Sequence, residues 1–200
     1  QVNINNNFNI KGENIYFYRL DKIIKSTDPV KFTDNFNNKI DAIDFDYYLE
    51  EKKFISSEMN FIDQDLNNYK SKDTFIDLEN NRIATKDIEI YFADGELGSN
   101  ARLKGRSMIS ENEISIIKNG VFTTCKVRED CPPWALKASE IKHDKSKKTI
   151  YYTNSWLELY DVPVFYFPKF FHPDPTVSRQ SGFLTPSILE SSVHSSSVQI

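Results

Sequence analysis

Few side chains in this sequence have types and spacings that could do chemistry. Cys125 and Cys131 are the only cysteines. Without a second Cys or His pair they cannot complete a tetrahedral zinc site, and their separation is not that of a C-x-x-C redox motif. A loop-closing disulfide, or bridges to cysteines elsewhere, would require an oxidising compartment such as the periplasm, whereas two free buried thiols would require none. An imidazole sits beside a carboxylate in sequence at His143-Asp144 and at His172-Pro173-Asp174. Neighbouring strand residues point to opposite faces, so His143 and Asp144 are poorly placed as an acid/base pair. The pattern predicts structural roles instead, with Asp144 starting a turn and His172 in a rigid proline turn. Lys104-Gly105-Arg106 and Ser178-Arg179-Gln180 could meet phosphates of a lipid headgroup, but in an acidic chain such clusters read first as surface charge. There is no nucleophile elbow, phosphate-cradling loop or H-E-x-x-H zinc motif. The sequence predicts no catalytic residue, no metal site and no cofactor.

The elements that carry these residues read as β-structure. Aromatics make up 14% of the 200 residues, and aromatic and β-branched side chains fit a pleated surface. A net charge of −4 argues against a nucleic-acid binder, which would normally show a basic stripe. No run of about twenty apolar residues could span a bilayer as a helix. The chain starts at Gln1 with no charged-then-apolar leader, which suggests a trimmed or internal fragment. Ile15 to Leu20 is a first strand candidate. Ile43, Phe45 and Tyr47 alternate with Ala42, Asp44 and Asp46, the period of a half-buried strand. Asn37-Asn38, Asn67-Asn68, Asn80-Asn81, Asp94-Gly95 and Asn119-Gly120 then punctuate the chain at short intervals. Glu58-Met59-Asn60-Phe61, Asp87-Ile88-Glu89-Ile90 and Glu140-Ile141-Lys142-His143 form a weak repeat, each read as one rung of a stacked sheet. Their uneven spacing favours a roll over a regular solenoid. In such a roll Ile43, Phe45, Met59, Phe61, Ile88, Ile90, Ile114 and Ile116 are the candidates for an inward, lipid-accepting slot; a closed core would use the same residues.

Asp161 to Ile188 holds five of the eight prolines and cannot be an ordinary helix. It reads as extended chain between two bodies. The predicted organisation is a roll over residues 1–160, a proline and aromatic connector over 161–181, and the first strand of a second β-structure over 182–200.

Six motifs, in order from residue 101 to 188, resemble one known family. They are Ala101-Arg102-Leu103-Lys104-Gly105-Arg106-Ser107, Asn119 to Cys125, Cys131-Pro132-Pro133-Trp134-Ala135-Leu136-Lys137-Ala138, Ile141-Lys142-His143-Asp144, Val162 to Pro168, and His172-Pro173-Asp174-Pro175-Thr176 continuing through Arg179 to Pro186. The family is that of the outer-membrane lipopolysaccharide-assembly proteins (LptD, also called organic solvent tolerance or OstA proteins). Residues 1–100 match it only in style. The resemblance implies a periplasmic β-jelly roll followed by a large outer-membrane β-barrel, in a Gram-negative bacterium. It implies lipopolysaccharide as cargo, a periplasmic bridge protein of similar roll fold (LptA-like) as donor, and an outer-membrane lipoprotein plug (LptE-like). Pro186 matches a proline of the first barrel strand, where a missing ladder bond would weaken a lateral gate. Disulfides of Cys125 and Cys131, with each other or with cysteines elsewhere, also follow from the resemblance. Two other functions stay open: a soluble lipopolysaccharide-binding bridge module without a barrel, and an all-β enzyme acting on envelope polysaccharide through a carboxylate pair.

Overall fold

The computed structural model describes residues 2–4, 8–34, 39–93, 100–125, 132–177, 187–189 and 197–199. Among them every regular element is a strand: β1 (Val2–Ile4), β2 (Phe8–Gly12), β3 (Tyr16–Tyr18), β4 (Ile23–Ser26), β5 (Val30–Asp34), β6 (Lys39–Tyr48), β7 (Lys53–Ile62), β8 (Asn68–Asp77), β9 (Arg82–Tyr91), β10 (Arg102–Glu111), β11 (Ile114–Thr123), β12 (Trp134–Asp144), β13 (Thr149–Leu159), β14 (Val162–Pro173), β15 (Ser187–Leu189) and β16 (Ser197–Gln199). The all-β class expected from the aromatic content holds. The first fourteen strands form one open antiparallel sheet in the order β1-β2-β5-β6 and then sequentially to β14, while β15 and β16 pair separately. β6 has two partners on one edge: β5 along its first half, with Val30 opposite Ala42, and β4 along its second, with Ile24 opposite Tyr47. β3 continues the sheet beyond β4.

A crease crosses the middle of every strand from β6 to β14. Asp44, Asp73, Asp87, Asn119 and Asn154 all have φ between 44° and 53°, in the left-handed region that Asp and Asn tolerate better than most residues. The ladders skip a pair there. Between β6 and β7 they pass from Ile43 opposite Glu58 to Phe45 opposite Ser56, and between β12 and β13 from Ala138 opposite Ser155 to Glu140 opposite Thr153. Hydroxyls satisfy the carbonyls this exposes: Ser57 Oγ donates to Ile43 O at 3.0 Å, Ser139 Oγ to Thr153 O at 3.0 Å and Thr85 Oγ1 to Lys72 O at 2.8 Å.

Each crease shifts the side-chain alternation by one residue. Inward positions on either side of it are therefore three apart: Ala42 and Phe45, Met59 and Ser56, Ile88 and Thr85, Ala138 and Ile141, Ser155 and Tyr152, all buried. The sheet folds along this line into two walls with their inward faces together. Where the walls converge, small residues face large ones. A Cβ on Gly105 would lie 2.1 Å from Ile117 Cγ2, and one on Gly120 would lie 2.4 Å from Ile141 Cδ1. The interior contains two apolar clusters. One gathers Ile10, Val30, Phe32, Phe45, Phe54 and Met59 from β2 to β7. The other runs from Tyr69 on β8 to Tyr152 on β13, through Ile90, Leu103, Phe122 and Leu136. Half-buried Phe61 packs against both.

The stretch expected as a connector enters the sheet. From Val162 to Pro173 it is β14, the terminal strand of the large sheet, paired to β13 with Tyr166 opposite Trp156 and Phe170 opposite Tyr152. Its aromatics supply cross-strand contacts, and its prolines are tolerated because one side of the strand has no neighbour among the described residues.

Candidate functional site

The two walls meet again opposite the crease, along a seam that side chains close. In the β2–β8 part of the roll the seam is apolar. Ile10, Phe32 and Ile40 from one wall face Tyr47, Phe54 and Ile76 from the other, with Leu78 at the side, around a cavity of about 50 Å³. Phe32, Phe45 and Phe54 form the packing behind it, with ring centroids 5.0 to 5.8 Å apart. Ser56 Oγ is buried here without a hydrogen-bond partner. Ligand pockets usually offer at least about 300 Å³, so among the described residues this part of the seam is closed.

In the β9–β14 part the same seam carries a buried polar latch. Phe92 and Phe122 on one wall contact His143 (5.8 Å between centroids) and His172 (4.8 Å) from the other. His143 Nε2 donates to Asp174 Oδ2 at 2.5 Å, joining β12 to the residue just after β14. Asp174 Oδ1 also accepts the Thr176 N–H and hydroxyl, each at 2.8 Å, while the Asp174 N–H donates to Lys148 O at 2.8 Å. His172 Nδ1 lies 2.6 Å from the Pro173 carbonyl, which can only accept, so Nδ1 carries the proton and Nε2 accepts the Tyr152 hydroxyl at 2.7 Å. All four side chains are buried.

The electrostatics fit that arrangement. Burial would raise the Asp174 carboxyl, but the His143 hydrogen bond and charge, with the two Thr176 donors, outweigh it and hold the group below the usual carboxylate value. Burial pushes His172 down, against weaker opposition from the Pro173 carbonyl and the Asp174 charge, which favours its neutral form. Burial also raises Tyr152 well above the usual phenol value, keeping it a donor. The arrangement holds the seam shut and fixes the end of β14. It presents no nucleophile to solvent.

Of the slot candidates, Phe45, Met59, Ile88 and Ile90 are buried in the interior and Phe61 is half-buried between the clusters. Ile43, Ile114 and Ile116 stand on the outer face, 37 to 38% exposed. Asp44 at the crease reverses the alternation between Ile43 and Phe45, and on β11 the inward positions go to Ser115 and Ile117. Asp144 takes its turn role, accepting the Lys147 N–H at 3.1 Å and the Ser146 hydroxyl at 2.7 Å. Lys104 pairs with Glu89 at 2.6 Å in a groove of about 830 Å³. Residues of one wall alone line that groove, with charges of both signs, which makes it an outer, solvated surface. Cys125 is half-buried and in no disulfide among the described residues, and its carbonyl accepts from Arg102 Nη1. Cys131, Pro186 and Ser178-Arg179-Gln180 lie outside the described residues. Sequence adjacency does not reveal the His143–Asp174 pair, because its partners are 31 residues apart. The signal available was a second acid in the proline turn after His172.

No family model matches the chain. Over 106 residues, 52% of the chain, it is 33% identical to a protein of Salmonella typhi and 34% identical to proteins of Escherichia coli strain K12 and Shigella flexneri serotype 5b. All three are curated under the name LPS-assembly protein LptD, the family that the motifs resemble. The matched stretch spans 13% of each relative's length.

Proposed function

We propose that this chain is the periplasmic roll of a lipopolysaccharide-assembly protein, a non-enzymatic conduit that takes acyl chains between its two walls and passes them to an outer-membrane barrel that follows. The observation carrying this reading is the apolar seam. From Ile10 to Phe54 the walls touch through apolar side chains alone, around a small cavity. Parting them exposes the apolar cluster behind the seam, and each methylene that enters saves roughly 0.8 kcal/mol relative to water. The curated names of the relatives support lipopolysaccharide assembly as the process.

In this reading the transport roll expected over residues 1–160 takes in β14 as well, the rest of the 161–181 stretch leads from it, and 182–200 begin the barrel, with Pro186 weakening the lateral gate in the first barrel strand. Cys125 and Cys131 form disulfides in the oxidising periplasm. The donor is a bridge protein of similar fold (LptA-like), and a lipoprotein plug (LptE-like) occupies the barrel. The β3 edge, with Tyr16, Phe17 and Tyr18 exposed and no proline in the strand, supports a donor that adds a strand there.

Photo-crosslinkers test the slot. Placed at Ile40, Phe61 or Ile90 in the full-length protein, they capture lipopolysaccharide. Placed at outward Ile116 or at Asp44 on the crease, they do not. Equal capture at both sets, or capture only outside, would remove the slot.

A further inference from the structure

The two walls of the roll present unlike outer faces. On the wall that carries Ala42 and Met59, an outward row crosses the strands through Lys31, Asp41, Asn60, Lys70, Glu89 and Lys104, each opposite the next. Every member is polar, as on the solvated face of an antiparallel sheet. On the wall that carries Phe45 and Ser56, the matching row is Ile55, Phe75, Ala84, Ile109 and Ile116, again each opposite the next. Every member is apolar. Their neighbours in sequence point inward, so the row faces out: Ile55 is 42% and Ile109 47% exposed, with Phe75 and Ala84 half-buried. Lys142, lying over the Tyr151 ring, extends the row to β13 through its methylene stem. The Lys25–Asp46 ion pair at 2.7 Å ends it on the other side. Contiguous apolar surface with a polar border marks a contact site.

The geometry of this strip limits what can lie on it. It sits in mid-sheet, where the main-chain groups are already paired in ladders, so a partner gains no backbone hydrogen bonds from it. An extended peptide would leave its own N–H and C=O groups stranded over isoleucines, whereas a helix brings them satisfied. Charges border the strip on both sides: the Lys86–Asp73 and Lys118–Glu140 pairs toward the crease, and Lys53, Asp77, Arg82 and Glu111 toward the turns. Outward positions along a strand are about 7 Å apart, so the strip is roughly 14 Å wide between these rims and, over seven strands, roughly 29 Å long. That is about 400 Å², half of what each side of a standard interface buries. A second copy, bringing another flat sheet, would press the charged rims together to reach the area of a stable dimer, and a flat bilayer would bury them too. One helix of about 20 residues covers the strip and leaves the rims in water. The rims alternate in sign, which suits a helix with both Glu and Lys on its flanks. Ala84, between Phe75 and Ile109, leaves a dip about 10 Å across for one large side chain.

We propose that the outer face of the β7 to β13 wall is a docking surface for an amphipathic helix of a partner protein, with one large apolar side chain seated over Ala84. The surface lies outside the roll, so it operates whether or not lipid runs within. The test uses the 200-residue chain and, as probe, a fluorescein-labelled synthetic helix of about 20 residues with leucines at i, i+3, i+4 and i+7 spacing and Glu and Lys elsewhere. A peptide of the same composition with its leucines dispersed around the helix is the control. Fluorescence anisotropy is expected to show the amphipathic peptide binding at least tenfold more tightly than the control. An Ile109→Glu/Ile116→Lys double variant should lose at least tenfold at an unchanged melting temperature, because both side chains point into solvent. Ala84→Phe should weaken binding severalfold although it adds apolar surface, since it fills the dip. A benzophenone at the central leucine should label β8 to β11. Equal binding of the two peptides, equal binding by the double variant, tighter binding by Ala84→Phe, labelling of the Ile10 to Phe54 seam, or a dimer that Ile109→Glu dissolves would each overturn the proposal. Capture of lipopolysaccharide in the interior can succeed or fail without changing any of these outcomes.

Discussion

The two ends of the seam use the same wall geometry and close it by different means. Around β2 to β7 the walls touch through phenylalanines and aliphatic side chains, next to a cavity and a buried serine hydroxyl without a partner. Around β9 to β14 they are pinned by His143–Asp174 and Tyr152–His172 inside a larger aromatic cluster. Apolar contacts have no preferred direction and can slide, whereas a hydrogen bond at 2.5 Å is made or broken. A fold that parts along one stretch and remains one body gains from having both. The first region can part while the second keeps the walls in register.

The largest test of that contrast is Phe45→Ala. Phe45 is fully buried and packs edge-on to Phe32 and stacked with Phe54, so its loss should cost about 4 kcal/mol in urea unfolding. Hydrogen exchange should then accelerate in β5 to β7 and much less in β11 to β13. Uniform acceleration would mean that the two regions are one cooperative unit. Asp174→Ala attacks the other region. It leaves His143 buried without its acceptor and should cost about 3 kcal/mol, with the exchange pattern reversed. Asp174→Asn should recover part of that loss.

Acid sharpens the contrast without mutation. Asp174 is held below its ordinary value in the fold, so its contribution is present above about pH 4 and is lost as pH falls through the folded value. His172 is held below its ordinary value too, so the unfolded chain takes up its proton first, and stability declines once pH drops under about 6.5. Both shifts act in the same direction. Exchange in β12 to β14 should rise on acidification from pH 7 to 5, an effect that His172→Phe reduces and Phe45→Ala does not. The smallest expected effect is at the crease. Ser57→Ala removes one hydroxyl bond to Ile43 O on a half-buried strand and should cost roughly 0.5 to 1 kcal/mol by thermal melting.

Much of the fold was legible in sequence, because aromatic content and closely spaced Asn and Gly turn signals leave little room for helices. The rungs at Met59 and at Ile88-Glu89-Ile90 could be read because they lie clear of the shift in phase. Ile43 could not, since a simple alternation through Asp44 puts Ile43 and Phe45 on one face, and only a left-handed φ at Asp44 separates them. Aspartate in mid-strand looks like any outward polar residue. Recurrence of Asp or Asn opposite Ser or Arg on successive strands was the available signal, and it appears only once the strands are in register. Ile114 and Ile116 were ambiguous for another reason: Ile114, Ile116 and Ile117 offer apolar side chains to both faces. The latch depends on contacts between distant segments, and sequence adjacency pointed His143 to Asp144 instead of Asp174. Within the proline-rich stretch, residues 162–173 are extended and also paired to β13, a pairing the sequence does not reveal because prolines argue against a central strand and are silent about an edge.

The crease also works as a ruler. Each strand from β6 to β14 bends at the same level, so the cross-section between the walls is set by two short half-strands and hardly changes from one rung to the next. Nine such strands at about 4.8 Å apart give a run of roughly 40 Å. Inserting or deleting one hairpin would move both ends by about 10 Å and leave every other inward pair in phase. Distance along the roll can therefore be tuned by counting hairpins, independently of what the roll encloses.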